Sequence, residues 1–160
     1  MDEPFVINVA DALAREHPRR AAIIDFEGDE RWPDTGVNIQ IMQPGQPNCR
    51  YHHEPVQEDF LVLFGECTAI IGGEERALRR WDFFHCPAGT PHVFVGAGDG
   101  PCAVLMIGSR RKDEAHYPVS DVAAKYGASV AAETDEPSEA YADWRKEPWR
   151  EVRNPWPLDG

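Results

Sequence analysis

The sequence has no C-x-x-C pair, no apolar run that could span a bilayer, and too little basic charge to suit a polyanionic partner. Each absence closes off a class of function. The cysteines, Cys49, Cys67, Cys86 and Cys102, are scattered singly, which excludes a zinc ribbon or thioredoxin-type site in its usual form. With 28 Asp and Glu against 16 Lys and Arg, the formal charge is −12. That argues against the phosphate backbone of nucleic acid, or an anionic membrane, as partner. The acidic start MDEPFVINV is unlike a signal peptide, so a cytoplasmic protein with reduced thiols is expected. The cysteines then read as small buried apolar residues.

A chain of 160 residues suits one domain with a real core. Its patterning divides into three. Residues 1–36 form an N-terminal arm: FVINV suggests a short strand, VADALAREH a helical turn or two ending at His17-Pro18, and AAIIDF a second apolar piece. Such an arm is expected to cover a sheet edge. Residues 37–108 are β in character. Val37, Ile39 and Ile41 alternate with Asn38 and Gln40, which predicts a strand with one wet face. The next strand carries Arg50 to Glu54. The uninterrupted run FLVLF after Asp59 predicts burial of both faces. TAII-GG-EERALR is a hairpin turning at Gly72 and Gly73, and DFFHCP, HVFVG and CAVLMIG follow between glycine turns. Frequent short strands favour an all-β sandwich or barrel. Residues 109–160 form a C-terminal extension in which VSDVAAKYGASVAA suggests a helix. Its tail is broken by prolines and carries Trp144, Trp149 and Trp156, aromatic anchors expected to pack on the barrel or on a partner subunit.

Chemistry concentrates between Gly45 and His92. Glu58 immediately precedes the buried run, and an unpaired carboxylate facing a barrel interior is costly unless paired, neutralised or bound to a cation. His52, His53 and His92 are the nearby imidazoles, and neutral imidazole is a good transition-metal ligand. Two imidazoles and a carboxylate on one side of an ion leave positions open for substrate or water. The pleat makes two registers exclusive: His52 and Glu54 share one face of the strand, Tyr51 and His53 the other. His17, His85 and His116 read as structural histidines.

The chain resembles the cupin superfamily. The first cupin motif, G-x5-H-x-H-x3,4-E-x6-G, ends here as Glu58-x6-Gly65, and the core of the second, P-x-G-x2-H, is Pro87-x-Gly89-x2-His92. Trp81 stands where the second motif begins with glycine, and Gly96 replaces its final asparagine. The segment YHHEPVQEDFLVLFG is also similar to the site of 3-hydroxyanthranilate dioxygenases, whose His-x5-Glu-x6-Gly falls on His52, Glu58 and Gly65. The resemblance implies a jelly-roll barrel, a double-stranded β-helix. It also implies one divalent transition metal ion (Fe, Ni, Zn, Mn or Cu) held by His52, Glu58 and His92. Glu54 is a fourth candidate, and His53 replaces His52 if the register differs.

Three functions are compatible with such a site: an oxygenase-like enzyme acting on a small organic molecule, a metal-dependent isomerase or lyase, and a non-catalytic small-ligand-binding protein. In metal-free relatives Tyr51 would serve as an acid. Arg50, on the same face as His52, is a candidate anion contact. Small proteins of this kind often pair through a barrel edge, so a homodimer is expected.

Overall fold

The computed structural model describes residues 3–153. Two antiparallel sheets face each other. One has seven strands in the order β10-β1-β2-β3-β9-β4-β7, and the other has three in the order β6-β5-β8. The strands are β1 Leu13–His17, β2 Arg20–Asp25, β3 Thr35–Met42, β4 Glu58–Phe64, β5 Glu66–Ile71, β6 Glu74–Arg79, β7 Phe83–Cys86, β8 His92–Ala97, β9 Cys102–Ser109 and β10 Arg150–Arg153. Phe60, Val62, Phe94, Val104 and Met106 form the core between the sheets. The β5–β6 hairpin turns at Gly72 and Gly73, with φ of 57° and 83°, values that cost a side-chain-bearing residue but not glycine.

Several expectations need correction. Residues 13–17 are a strand, not helical turns, although Ala, Leu, Arg and Glu favour helix. Pairing with β2 on one side and β10 on the other outweighs propensity and buries Ala14 and His17. No strand forms at FVINV; a single 3₁₀ turn, Val9–Asp11, precedes β1. The polar face of β3 is not turned to bulk solvent: β3 lies between β2 and β9, and Asn38 and Gln40 line an internal cavity. In β4, Phe60 and Val62 are buried while Leu61 and Leu63 are only half-buried, so one face is the core face. Residues 50–54 make isolated bridges rather than a strand. Among the described residues of the extension, only Asp121–Ala124 (α1) and Pro137–Ala140 (α2) are α-helical.

Backbone geometry accounts for one motif departure and leaves the other strained. Gly96 sits in β8 where a Cβ would lie 2.2 Å from the Gln43 carbonyl oxygen, so no asparagine fits. Trp81 has φ of 75°, the left-handed conformation that a glycine would take without strain.

The extension folds back on its own chain. Arg50 is the fastener: its Nε donates to Ala140 O (3.0 Å), Nη1 to Gly127 O (2.9 Å) and Ser129 O (3.0 Å), and Nη2 to Asp143 Oδ1 (2.6 Å). Trp144 is buried, with the Arg50 guanidinium 4.2 Å from its ring centroid, whereas Trp149 is 39% exposed. Trp156 lies outside the described residues. Arg50 therefore has four of its five N–H groups engaged and is not an anion contact.

Candidate metal centre

His52 and His92 are brought together by backbone pairing. The His52 N–H donates to His92 O (3.2 Å) and the His92 N–H to His52 O (2.9 Å), so both side chains leave on one face with rings 5.0 Å apart. The next residue must point the other way. His53 makes the same pair of backbone hydrogen bonds with His116, and those two rings lie 5.0 Å apart, tilted to each other, on the outer side. Glu58, the first residue of β4, aims its carboxylate at His92, with Oε2 3.2 Å from Nε2.

One ligand atom from each of His52, Glu58 and His92 lies within 4.8 Å of the others, and these three form a candidate metal site. Glu54 stands at its edge, 3.6 Å from His52 Nε2 and more exposed than Glu58. Tyr51 turns away and packs with Ile70, Val93 and Val95, so it is not at the site. His17 bonds the carbonyls of Trp144 and Glu147, His85 pairs with Asp59 (2.6 Å), and His116 holds Asp135 and Glu133.

The donor set fits a cation. His52 Nδ1 lies 2.8 Å from Arg50 O, and His92 Nδ1 lies 3.0 Å from Thr90 O. A carbonyl only accepts, so each Nδ1 carries the proton and each Nε2 presents a lone pair to the cavity. At His92 that lone pair faces a carboxylate oxygen, an arrangement that requires a positive particle, either a proton or a metal ion. Without a metal the proton serves. Burial works against charge on His92, but hydrogen bonds to Cys86 and Glu58 push it up to about 10. Burial alone would raise Glu58, yet the hydrogen bond and charge of His92, then His52, hold it below its ordinary value. All four cysteines are free and buried. Cys49 and Cys86 lie 3.6 and 3.4 Å from the Nδ1 atoms of His52 and His92.

The site opens into a cavity of about 390 Å³, whose wall includes Phe60, Met106, Tyr117, Tyr141, Asn48 and Arg20. Sequence reasoning missed Tyr117, because it comes from the extension. Its ring is 5.8 Å from that of His52, it is buried, and burial raises its hydroxyl above the ordinary tyrosine range.

Residues 38–108, strands β3 to β9, match the cupin domain family. The barrel has the cupin fold. No curated protein matches the chain in sequence. Among solved structures, a sugar phosphate isomerase of the cupin superfamily from Silicibacter pomeroyi is 25% identical with a TM-score of 0.55, over 63% of this chain and 66% of its own. The DMSP lyase DddQ from Ruegeria pomeroyi is 22% identical with a TM-score of 0.50, over 60% and 50%. The polyketide cyclase RemF from Streptomyces resistomycificus is 13% identical with a TM-score of 0.63, over 89% and 99%. The match thus spans less than two thirds of the isomerase and half of the lyase, and the lyase and cyclase likenesses are ones of fold. Among the described residues of this cupin barrel, no helix is long and apolar enough to cross a membrane.

Proposed function

We propose that this chain is a metal-dependent enzyme of the cupin superfamily acting on a small organic molecule inside the barrel. The observation that carries the reading is the convergence of His52, Glu58 and His92 with both imidazole Nε2 atoms turned towards the carboxylate and the cavity. These three residues would hold one divalent ion, which supplies Lewis-acid polarisation of a substrate oxygen or, for iron, electrons for O2 chemistry. The rest is the protein's work. The carbonyls of Arg50 and Thr90 fix the two rings. Phe60 and Met106 supply the apolar part of a cavity wall that is otherwise mostly polar.

An oxygenase is the first reading, because two imidazoles and one carboxylate are the iron-type set and leave positions the protein does not fill. It is supported by the similarity of the 52–65 segment to 3-hydroxyanthranilate dioxygenases. An isomerase or lyase is the second. Tyr117 lines the cavity and its hydroxyl makes no hydrogen bond to a described residue, so it is placed to move a proton. The isomerase among the similar structures fits this second reading. Oxygen uptake by the iron-loaded protein with a library of small organic compounds supports the first reading. Oxygen-independent turnover, lost in Tyr117→Phe, supports the second. Tight binding of a library compound with no turnover overturns both in favour of a non-catalytic binding protein.

A further inference from the structure

The cavity that contains the candidate metal site is lined by four basic side chains, Arg20, Arg31, Arg110 and Lys112, in a protein of formal charge −12. Two of them are committed. Arg31 makes a two-pronged contact with Asp113 at 2.9 and 3.3 Å, and Arg110 pairs with Glu27 in the same way. Lys112 is exposed at the rim. Arg20 differs from all three. It is the first residue of β2 and half-buried, and its Nε donates to Asn48 O at 3.1 Å. No carboxylate among the described residues lies within ion-pair distance of its guanidinium, and its Nη groups make no hydrogen bond to them.

Its surroundings hold the guanidinium in place without neutralising it. The rings of Tyr141, Trp149 and Trp144 lie with centroids 5.1, 5.5 and 6.0 Å from Arg20 Cζ. Tyr141 contacts Tyr117 edge-on at 5.8 Å, and Tyr117 contacts His52 at 5.8 Å. A chain of ring contacts thus links the free guanidinium to the candidate metal site along one wall. A fixed, half-buried cation with open donors matches an oxyanion, since a guanidinium presents paired N–H groups in the geometry of carboxylate or phosphate.

We infer that Arg20 is the anion-binding residue of this cavity, and that its small-molecule ligand carries a carboxylate or phosphate group. The inference deepens the enzyme reading by naming the substrate class and rests on that reading for the cavity being the active site. The competing role for Arg20 is a cation–π staple for the tail, which lysine would not replace well.

Calorimetric titration of the full chain with D-glycerate, sn-glycerol 3-phosphate and uncharged glycerol tests the inference. It is run on zinc-loaded protein and again after chelation. The expected result is that wild type binds one of the two anions at least about tenfold more tightly than glycerol in both preparations. Which anion binds tells carboxylate from phosphate. Arg20→Gln loses that preference, and Arg20→Lys, which keeps the charge but not the paired N–H groups, binds more weakly than wild type but more tightly than Arg20→Gln. The inference is overturned if neither anion is preferred over glycerol, if Arg20→Gln binds the anion like wild type, or if Arg20→Lys is as weak as Arg20→Gln. Elemental analysis of the same samples separates the two claims. Arg20-dependent anion binding by a chain that takes up no metal would sink the metal reading alone. A metal-loaded chain whose anion binding ignores Arg20 would sink this inference alone.

Discussion

Removing the Arg50 side chain should release the C-terminal extension. The side chain is 8% exposed, and its four engaged N–H groups serve three carbonyls and one carboxylate on residues 77 to 93 positions further along the chain. In Arg50→Ala the Asp143 carboxylate, 62% exposed, simply rehydrates and contributes little. The carbonyls of Gly127, Ser129 and Ala140 lose a charged donor, and Trp144 loses the cation 4.2 Å from its ring centroid. Hydrogen bonds to charged groups are worth about 1.5–3 kcal/mol each, but these act as one unit. A net loss of about 3–4 kcal/mol is expected, capped by the cost of undocking residues 121–147. For a chain of this size that lowers Tm by roughly 6–16 °C. Amide exchange should show residues 121–147 losing protection before the barrel strands do. Arg50→Lys should recover less than half of the loss, because an ammonium cannot reach several carbonyls in a fork. An Arg50→Ala protein within about 0.5 kcal/mol of wild type, the range of ordinary surface changes, would refute this account of how the extension is held.

Trp81 offers a test of backbone strain. Its φ of 75° should make Trp81→Gly more stable than Trp81→Ala by about 1 kcal/mol, the reverse of the usual order in strand-rich structure, as read from denaturant midpoints; equal midpoints would contradict the strain. His116 sits between Asp135 at 2.5 Å and Glu133 at 2.9 Å, and the hydrogen bond to Asp135 raises its pKa above 6.5. A raised histidine contributes stability that is fully present below the unfolded value and lost as pH rises through the folded one. Protection of the 133–135 amides should therefore fall from pH 6 towards alkaline pH in wild type but not in His116→Asn, and a parallel fall in both would refute it. The chain should run as a homodimer by light scattering, twice 18.0 kDa, and a mass of one chain would contradict that expectation.

The strands β3 to β9 were legible because alternation and glycine turns are local signals: Val37, Ile39 and Ile41 mark one face, and Gly72-Gly73 marks a hairpin. The strand at Leu13–His17 was not, since its residues favour helix and its partners lie across the chain, β10 more than 130 residues away. The parity of the site could be posed from sequence, as His52 or His53, but not settled there. What places His52 beside Glu58 is the bridge to His92, and what turns His53 outward is the bridge to His116. Arg50 looked like a ligand contact because its face is that of His52; its true partners are backbone carbonyls, which no residue pattern announces. Arg20 and Tyr117 were invisible for the same reason, as each reaches the cavity from a segment outside the motifs.

The central claim is that one divalent ion is held by His52, Glu58 and His92. Elemental analysis after reconstitution with iron, manganese, nickel, copper or zinc and removal of excess metal tests it most directly, on wild type beside His52→Ala and His53→Ala. The account predicts one ion per chain in wild type and in His53→Ala, and almost none in His52→Ala. Retention by His52→Ala with loss in His53→Ala, or no stoichiometric metal in wild type with any of the five, would contradict it.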